Sequence, residues 1–247
     1  MEHAKLERYG LISVSGEDAR DFLHAQLTND IQKLARDRAA LAGWCTAKGR
    51  LLATLLVIPA KDGFLLQLSR DLVPAIAKRL SMFVLRSKVK IADVTAAWTQ
   101  VGSWGEDRGP REELQVLQEG ESIVVRMGER RFLLLSPSSS PLPSFSSPEE
   151  QWSAQEIQAG RPWITAATQD QFVPQMVNLE KIGGVDFQKG CYPGQEIVAR
   201  AQYRGEVKRR MVRLPAPAGA ALKPGQEFNG GVVVDAAGGE LLAVMPV

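Results

Sequence analysis

The residue with most chemistry to offer is Cys191, which stands in Phe187-Gln188-Lys189-Gly190-Cys191-Tyr192-Pro193-Gly194-Gln195-Glu196. A cysteine acts as a nucleophile through its thiolate, and nearby positive potential favours that form. Lys189 lies two residues away, and a helix starting just after the motif would add its positive end to the same field. Gly190 and Gly194 permit close backbone approach or positive φ, so the segment is expected to bend tightly while Pro193 stiffens it. Two readings of Cys191 stand side by side: a reactive thiol presented on a bend, or a small buried filler.

Other chemistries find little support. The only histidines are His3 and His24, and a Cys/His pair would need one of them to fold back across the domain, so hydrolytic use is not expected. Two cysteines and two histidines at these spacings match no zinc pattern, and two thiolates do not hold an iron–sulfur cluster in the four-thiolate manner. No metal site is expected, nor a disulfide between Cys45 and Cys191. With 30 Lys plus Arg against 28 Asp plus Glu the net charge is +2, too weak a field to argue for direct nucleic-acid binding. The densest basic run, Lys208-Arg209-Arg210 with Arg213, falls in a strand-like segment and reads as a solvated face. The N-terminus lacks the apolar core of a signal peptide, and no run reaches the ~18 apolar residues of a membrane span. A cytoplasmic protein without membrane contact is expected.

The elements that must position Cys191 follow from periodicity. Leu11, Ile12 and Val14 read as a strand, after which Ser15 caps a helix with Asp18 in the capping-box position and Ala19, Phe22, Leu23, Gln26 and Leu27 along one face. Residues 50–58 and 64–68 are rich in branched apolar types around a turn-forming 59–63 interval, which predicts a hairpin. Ser69 is the candidate cap of a helix carrying Leu72, Val73, Ile76, Leu80, Phe83 and Val84. Segments 88–94, 98–104, 122–126 and 131–135 read as strands. Interleaved helices and frequent hairpins indicate an α+β class. The Pro- and Ser-rich 136–148 stretch predicts an extended connector. Ser147, Pro148 and Glu150 then begin a helix with Trp152 and Ile157, which Gly160 and Pro162 stop. Ile197 to Arg200 reads as a strand or the first turns of a helix. From Glu206 short strands alternate with strong turns, so 206–247 is expected to form a small β module leaning on the region 1–205.

The motif Lys189-Gly190-Cys191-Tyr192-Pro193-Gly194-Gln195-Glu196 resembles the K-G-C-Y-x-G-Q-E signature of the YgfZ family. Its flanks, Val173-Pro174-Gln175-Met176-Val177-Asn178-Leu179 and Val198-Ala199-Arg200 with Tyr203-Arg204-Gly205, follow that family's order and spacing. So do Val14-Ser15-Gly16-Glu17-Asp18-Ala19, Gln26-Leu27-Thr28-Asn29-Asp30 and Ala47-Lys48-Gly49-Arg50, and the resemblance spans most of residues 9–205.

The resemblance implies a fold shared with the glycine-cleavage T-protein: interlocked α+β subdomains, ferredoxin-like in part, and a C-terminal β-barrel, here short. It implies tetrahydrofolate or a one-carbon derivative as cofactor, and support of iron–sulfur enzymes, including those that thiomethylate transfer RNA, as partners. Tyr9 and Trp152 match the aromatic positions of the folate site, where a flat pterin gains ~0.5–1.5 kcal/mol by stacking. Gln175, Asn178 and Gln195 are expected to supply neutral hydrogen bonds, with Cys191 and Lys189 as the chemical groups. The T-protein's L-E-A-G segment corresponds to Ile157-Gln158-Ala159-Gly160, and Gln158 cannot serve as a carboxylate base. Glycine cleavage is therefore not expected. The alternatives are a folate-linked aminomethyl or methyl transferase and a non-catalytic folate sensor.

Overall fold

The computed structural model describes all 247 residues, Met1–Val247. In chain order the elements are β1 (Glu2–Lys5), β2 (Tyr9–Ser15), α1 (Ala19–Gln26), β3 (Ala40–Cys45), β4 (Leu51–Ala60), β5 (Gly63–Ser69), α2 (Val73–Ser81), β6 (Lys90–Asp93) and β7 (Trp98–Trp104). There follow β8 (Val116–Glu119), β9 (Ser122–Gly128), β10 (Arg131–Pro137), α3 (Glu149–Gln158), α4 (Gln195–Tyr203), β11 (Arg209–Pro215), β12 (Glu227–Phe228), β13 (Gly231–Ala237) and β14 (Glu240–Pro246). The class is α+β, as the interleaved patterning predicts.

The chain winds through two compact units: Met1–Arg20, Lys33–Ala40 and Leu56–Trp152 form the first, and Asp21–Gln32, Leu41–Leu55 and Ser153–Val247 the second. Strand β4 passes from one to the other at Leu55/Leu56. Its second half, from Leu56, pairs antiparallel with β5 in the first unit, and β5 pairs with β2, which pairs with β6. The expected hairpin is present: Ala60 faces Gly63 across the Lys61-Asp62 turn. A second antiparallel sheet of the first unit runs β1-β7-β10-β9-β8, its core including Val101, Val125, Leu133 and Leu135.

In the second unit β3 lies beside the first half of β4, both lined with buried residues. The tail forms an antiparallel sheet in the order β11-β14-β13-β12. Its β13–β14 turn places Gly238 and Gly239 at φ 59° and 77°, the two consecutive positive values that a tight primed hairpin turn requires. Glu156, fully buried, accepts from Arg161 Nη1 at 3.0 Å and Trp163 Nε1 at 2.9 Å, which fixes the chain as it leaves α3. No helix is long and apolar enough to cross a membrane.

Two of the expected capping side chains bond more distant partners, and a third makes no capping bond. Asp18 accepts from the Lys88 backbone N–H at 2.7 Å instead of returning to Ser15. Ser69 is still in the sheet, opposite Tyr9, and makes no capping bond; a 3-10 turn, Arg70–Leu72, precedes α2, which ends at Ser81, before Phe83 and Val84. Ser147 donates to Glu2 Oε2 at 2.6 Å, while Glu149 accepts from the Arg8 amide at 2.9 Å. Asp18 and Ser147 thus bond distant chain segments, while Ser69 is held in the sheet through its backbone.

Candidate functional site

The second unit carries the Cys191 loop. Ile197 to Arg200 resolves as helix, within α4, whose N-cap is Gly194 at φ 82°. A Cβ at Gly194 would fall 2.4 Å from Thr46 O and 2.6 Å from both N and Cα of Gly49, so two backbones meet with no room for a side chain. Gly49 is itself at φ 69°, with Ile197 of α4 only 2.9 Å from where its Cβ would be. The Ala47-Lys48-Gly49-Arg50 turn and the cysteine motif are thus locked glycine to glycine. Gly190 differs from Gly194: its φ is not positive, and a Cβ there would make an ordinary 3.5 Å approach to His24 Nε2. Of the two glycines read as permissive, Gly194 alone makes the bend.

Cys191, presented on this loop, is exposed and free, whereas Cys45 is buried and free. Burial pushes the Cys45 thiol up to about 12, which keeps it protonated and unreactive. The filler reading thus describes Cys45 and not Cys191.

Lys189 is 6% exposed. Its ammonium donates to the carbonyls of His24 and, at 2.6 Å, Leu27, at the end of α1 where backbone acceptors lack helical partners and the dipole is negative. It also stands 4.9 Å from the Tyr192 ring centre, a cation–π distance. Burial lowers its pKa from 10.5 to about 8, against the opposing pull of Asp30, Asp186 and Cys191. Lys189 is therefore a clamp between the loop and α1 as well as a charge felt by Cys191. Tyr192 is also buried, and burial raises its phenol well above the ordinary range.

The remaining expected residues are placed as follows. Gln195 Nε2 donates to Lys189 O at 3.4 Å, spanning the loop. Gln175 is fully buried; its Nε2 donates to Val198 O of α4 at 2.7 Å, while its Oε1 is buried with no hydrogen-bond partner. Asn178, at φ 57°, donates to Met211 O at 2.7 Å and accepts from Arg210 at 3.1 Å, tying down β11. In the first unit Tyr9 is 1% exposed and Trp152 2%. Trp152 lies on Gly102, where a Cβ would come within 2.4 Å of the indole, with Arg131 4.4 Å from its ring centre and Trp104 6.3 Å away. Tyr9 borders a hollow of about 190 Å³ with Arg70, Thr95 and Gln100. Two larger hollows of the first unit, about 570 and 490 Å³, flank the Lys61-Asp62 turn, and neither is lined by Tyr9, Trp152, Lys189 or Cys191. Gln158 is exposed, and the acid nearest it in sequence, Glu156, is committed to Arg161 and Trp163.

Sequence spacing missed His24. Its Nδ1 is 3.1 Å from Asp30 Oδ1, both side chains being largely buried, and its Nε2 faces Gly190. No group of three or more His, Cys, Asp or Glu residues stands close enough to hold a metal ion.

No family model matches the chain. Among solved structures it is similar to glycine cleavage system aminomethyltransferase T from Bartonella henselae, with a TM-score of 0.73 at 13% identity, over 99% of this chain and 78% of that one. That likeness defines the fold as T-protein-like. Similarity to the heterotetrameric sarcosine oxidase of Corynebacterium sp. U-96 has a TM-score of 0.39 over 56% of this chain and 75% of that one, at 17% identity, too low to define a shared fold. Among curated proteins it is 35% identical over 208 residues to an "Uncharacterized protein" of Haemophilus influenzae, covering 83% of this chain and 70% of that protein. At that identity and coverage, the chain belongs to the same family as the Haemophilus influenzae protein.

Proposed function

We propose that this protein binds tetrahydrofolate or a one-carbon derivative and supports the assembly or repair of iron–sulfur enzymes, in the manner of the YgfZ-type proteins its motifs resemble, with the Cys191 thiol as its working group. The observation that carries the reading is a T-protein-like fold that keeps one thiol exposed on a bend locked by Gly194 while burying the other. One observation supports a folate among these residues: Gln175 Oε1 is a buried acceptor without a donor, an orphan costing about 1–3 kcal/mol that an N–H of a bound pterin would relieve. Gln175, Asn178 and Gln195 are the hydrogen-bonding residues of this proposal, and Tyr9 and Trp152 its aromatic ones. Both aromatics are buried, so stacking on a pterin requires their surroundings to open, and the tryptophan emission should change on adding tetrahydrofolate. When bound, the folate would supply a one-carbon unit or its acceptor; the chain's own part is to hold it and present Sγ of Cys191.

The test separates binding from chemistry. Cys191→Ala should retain tetrahydrofolate in equilibrium dialysis yet fail to restore iron–sulfur enzyme activity in cells lacking the protein; full restoration would remove the thiol from the mechanism. Aminomethyl transfer is the weaker reading, because Gln158 is an exposed amide and Glu156 is held by Arg161 and Trp163. A folate sensor without chemistry predicts that Cys191→Ser is harmless.

A further inference from the structure

The segment that follows α2 turns apolar side chains to solvent. Met82 is 70% exposed, Phe83 43% and Leu85 89%, so three of the ten exposed large apolar residues fall within four positions of the first unit. Single exposed apolar residues need no explanation, but a cluster of them marks a contact surface. The tip is built and not frayed. The amides of Met82, Phe83 and Val84 donate to the carbonyls of Arg79, Leu80 and Ser81 at 3.2, 3.0 and 3.3 Å, and the Ser87 amide closes a turn on Val84 O at 2.8 Å. Asp18 then holds the Lys88 amide at 2.7 Å. Inside this turn Leu85 sits at φ 46°, a left-handed conformation that costs an L side chain energy and that glycine adopts freely. Neither packing nor backbone preference accounts for a leucine kept both strained and in water, and such outliers collect at functional surfaces.

Charge around the tip is one-sided. Between Asp71 and Asp93 the chain carries Lys78, Arg79, Arg86, Lys88 and Lys90, all exposed, and no acidic residue. The acids that reach this segment are Glu17, 2.7 Å from the Lys88 ammonium, and Asp18, bonded to the Lys88 amide. A net charge of +2 over the whole chain hides this local excess. We propose that the 82–85 tip anchors the protein to an anionic lipid surface. Met82, Phe83 and Leu85 enter the boundary between headgroups and acyl chains, while the lysines and arginines around them stay among the lipid phosphates. Shape selects lipid over a protein partner. A stable protein interface buries about 800 Å² per side and seats its anchors in pockets, whereas this tip is a projection of three side chains that lines none of the hollows described above. A bilayer offers apolar depth without a matching surface. The attachment is peripheral, and it depends neither on folate nor on Cys191.

The test is sedimentation of the intact protein with sucrose-loaded phosphatidylcholine vesicles, prepared with and without phosphatidylglycerol. The wild type should sediment with the anionic vesicles only, and less so as salt is added, because salt screens the contacts to phosphate. Leu85→Gly separates anchoring from folding. Glycine relieves the left-handed backbone, so this variant should melt about 2–4 °C above the wild type, yet without the apolar side chain it should bind anionic vesicles about tenfold more weakly. Arg86→Gln should weaken binding about fivefold, the effect of one cation beside an anionic surface, with its melting temperature unchanged. Wild-type protein left in the supernatant, binding indifferent to phosphatidylglycerol, or equal sedimentation of wild type and Leu85→Gly would each overturn the proposal. So would a Leu85→Gly variant that melts lower, which would make the side chain structural, or sedimentation equilibrium showing that a second copy covers the tip.

Discussion

Adding one methyl group at Gly194 tests whether the backbone packing around it presents Cys191. An alanine there meets two costs. The residue is at φ 82°, where an L side chain loses about 1–2 kcal/mol relative to glycine. Its Cβ would also lie 2.4 Å from Thr46 O and 2.6 Å from Gly49 N and Cα; these are backbone atoms that no rotamer change can clear, and forced repacking of this kind costs about 1–3 kcal/mol. Gly194→Ala should therefore lose about 2–5 kcal/mol, a large share of the about 5–15 kcal/mol typical of a folded domain. Gly190→Ala is the internal control: its Cβ meets only His24 Nε2 at an ordinary 3.5 Å, and its cost should stay within about 0.5 kcal/mol. Thermal unfolding followed by circular dichroism should place Gly194→Ala about 5–15 °C below the wild type and Gly190→Ala beside it. Iodoacetamide labelling of Cys191 reads the loop locally and should change in the first variant only. Equal melting temperatures for the two variants would refute the argument.

Two further outcomes follow from buried charge. Lys189 releases its proton at about 8 in the folded protein and at the ordinary 10.5 when unfolded. Between these values the unfolded chain holds more protons, so the contribution of Lys189 to stability is most unfavourable below pH 8 and rises with pH across the window. Urea unfolding of wild type and Lys189→Met at pH 7.5, 9 and 10.5 should show the difference shifting toward the wild type; a difference independent of pH would contradict the assignment. Cys45, raised to about 12, opposes stability above pH 9 but is common to both proteins and cancels. Arg161→Ala would leave the fully buried Glu156 carboxylate with Trp163 as its remaining short contact among these three side chains, at a cost of about 3–5 kcal/mol; a melting temperature equal to the wild type would show that the pair contributes nothing.

Local pattern was enough to read several elements from the sequence alone. The β4–β5 hairpin, α3 and the turns of the C-terminal sheet depend on residues within a few positions of one another, and apolar periodicity and turn chemistry act over that range. Resemblance of motifs likewise placed the α+β, T-protein-like fold. What remained hidden depended on partners far apart in the chain. Asp18 and Ser147 look like helix caps until Lys88 and Glu2 are brought beside them, and His24 looks remote from the cysteine motif although Lys189 binds its carbonyl from 165 residues away. A buried polar group takes the best-aligned partner that folding delivers, and spacing along the chain records only the neighbours a residue starts with. The tertiary structure thus decided that Lys189 clamps α1, that Cys45 is interior while Cys191 is exposed, and that a histidine stands at the thiol's loop.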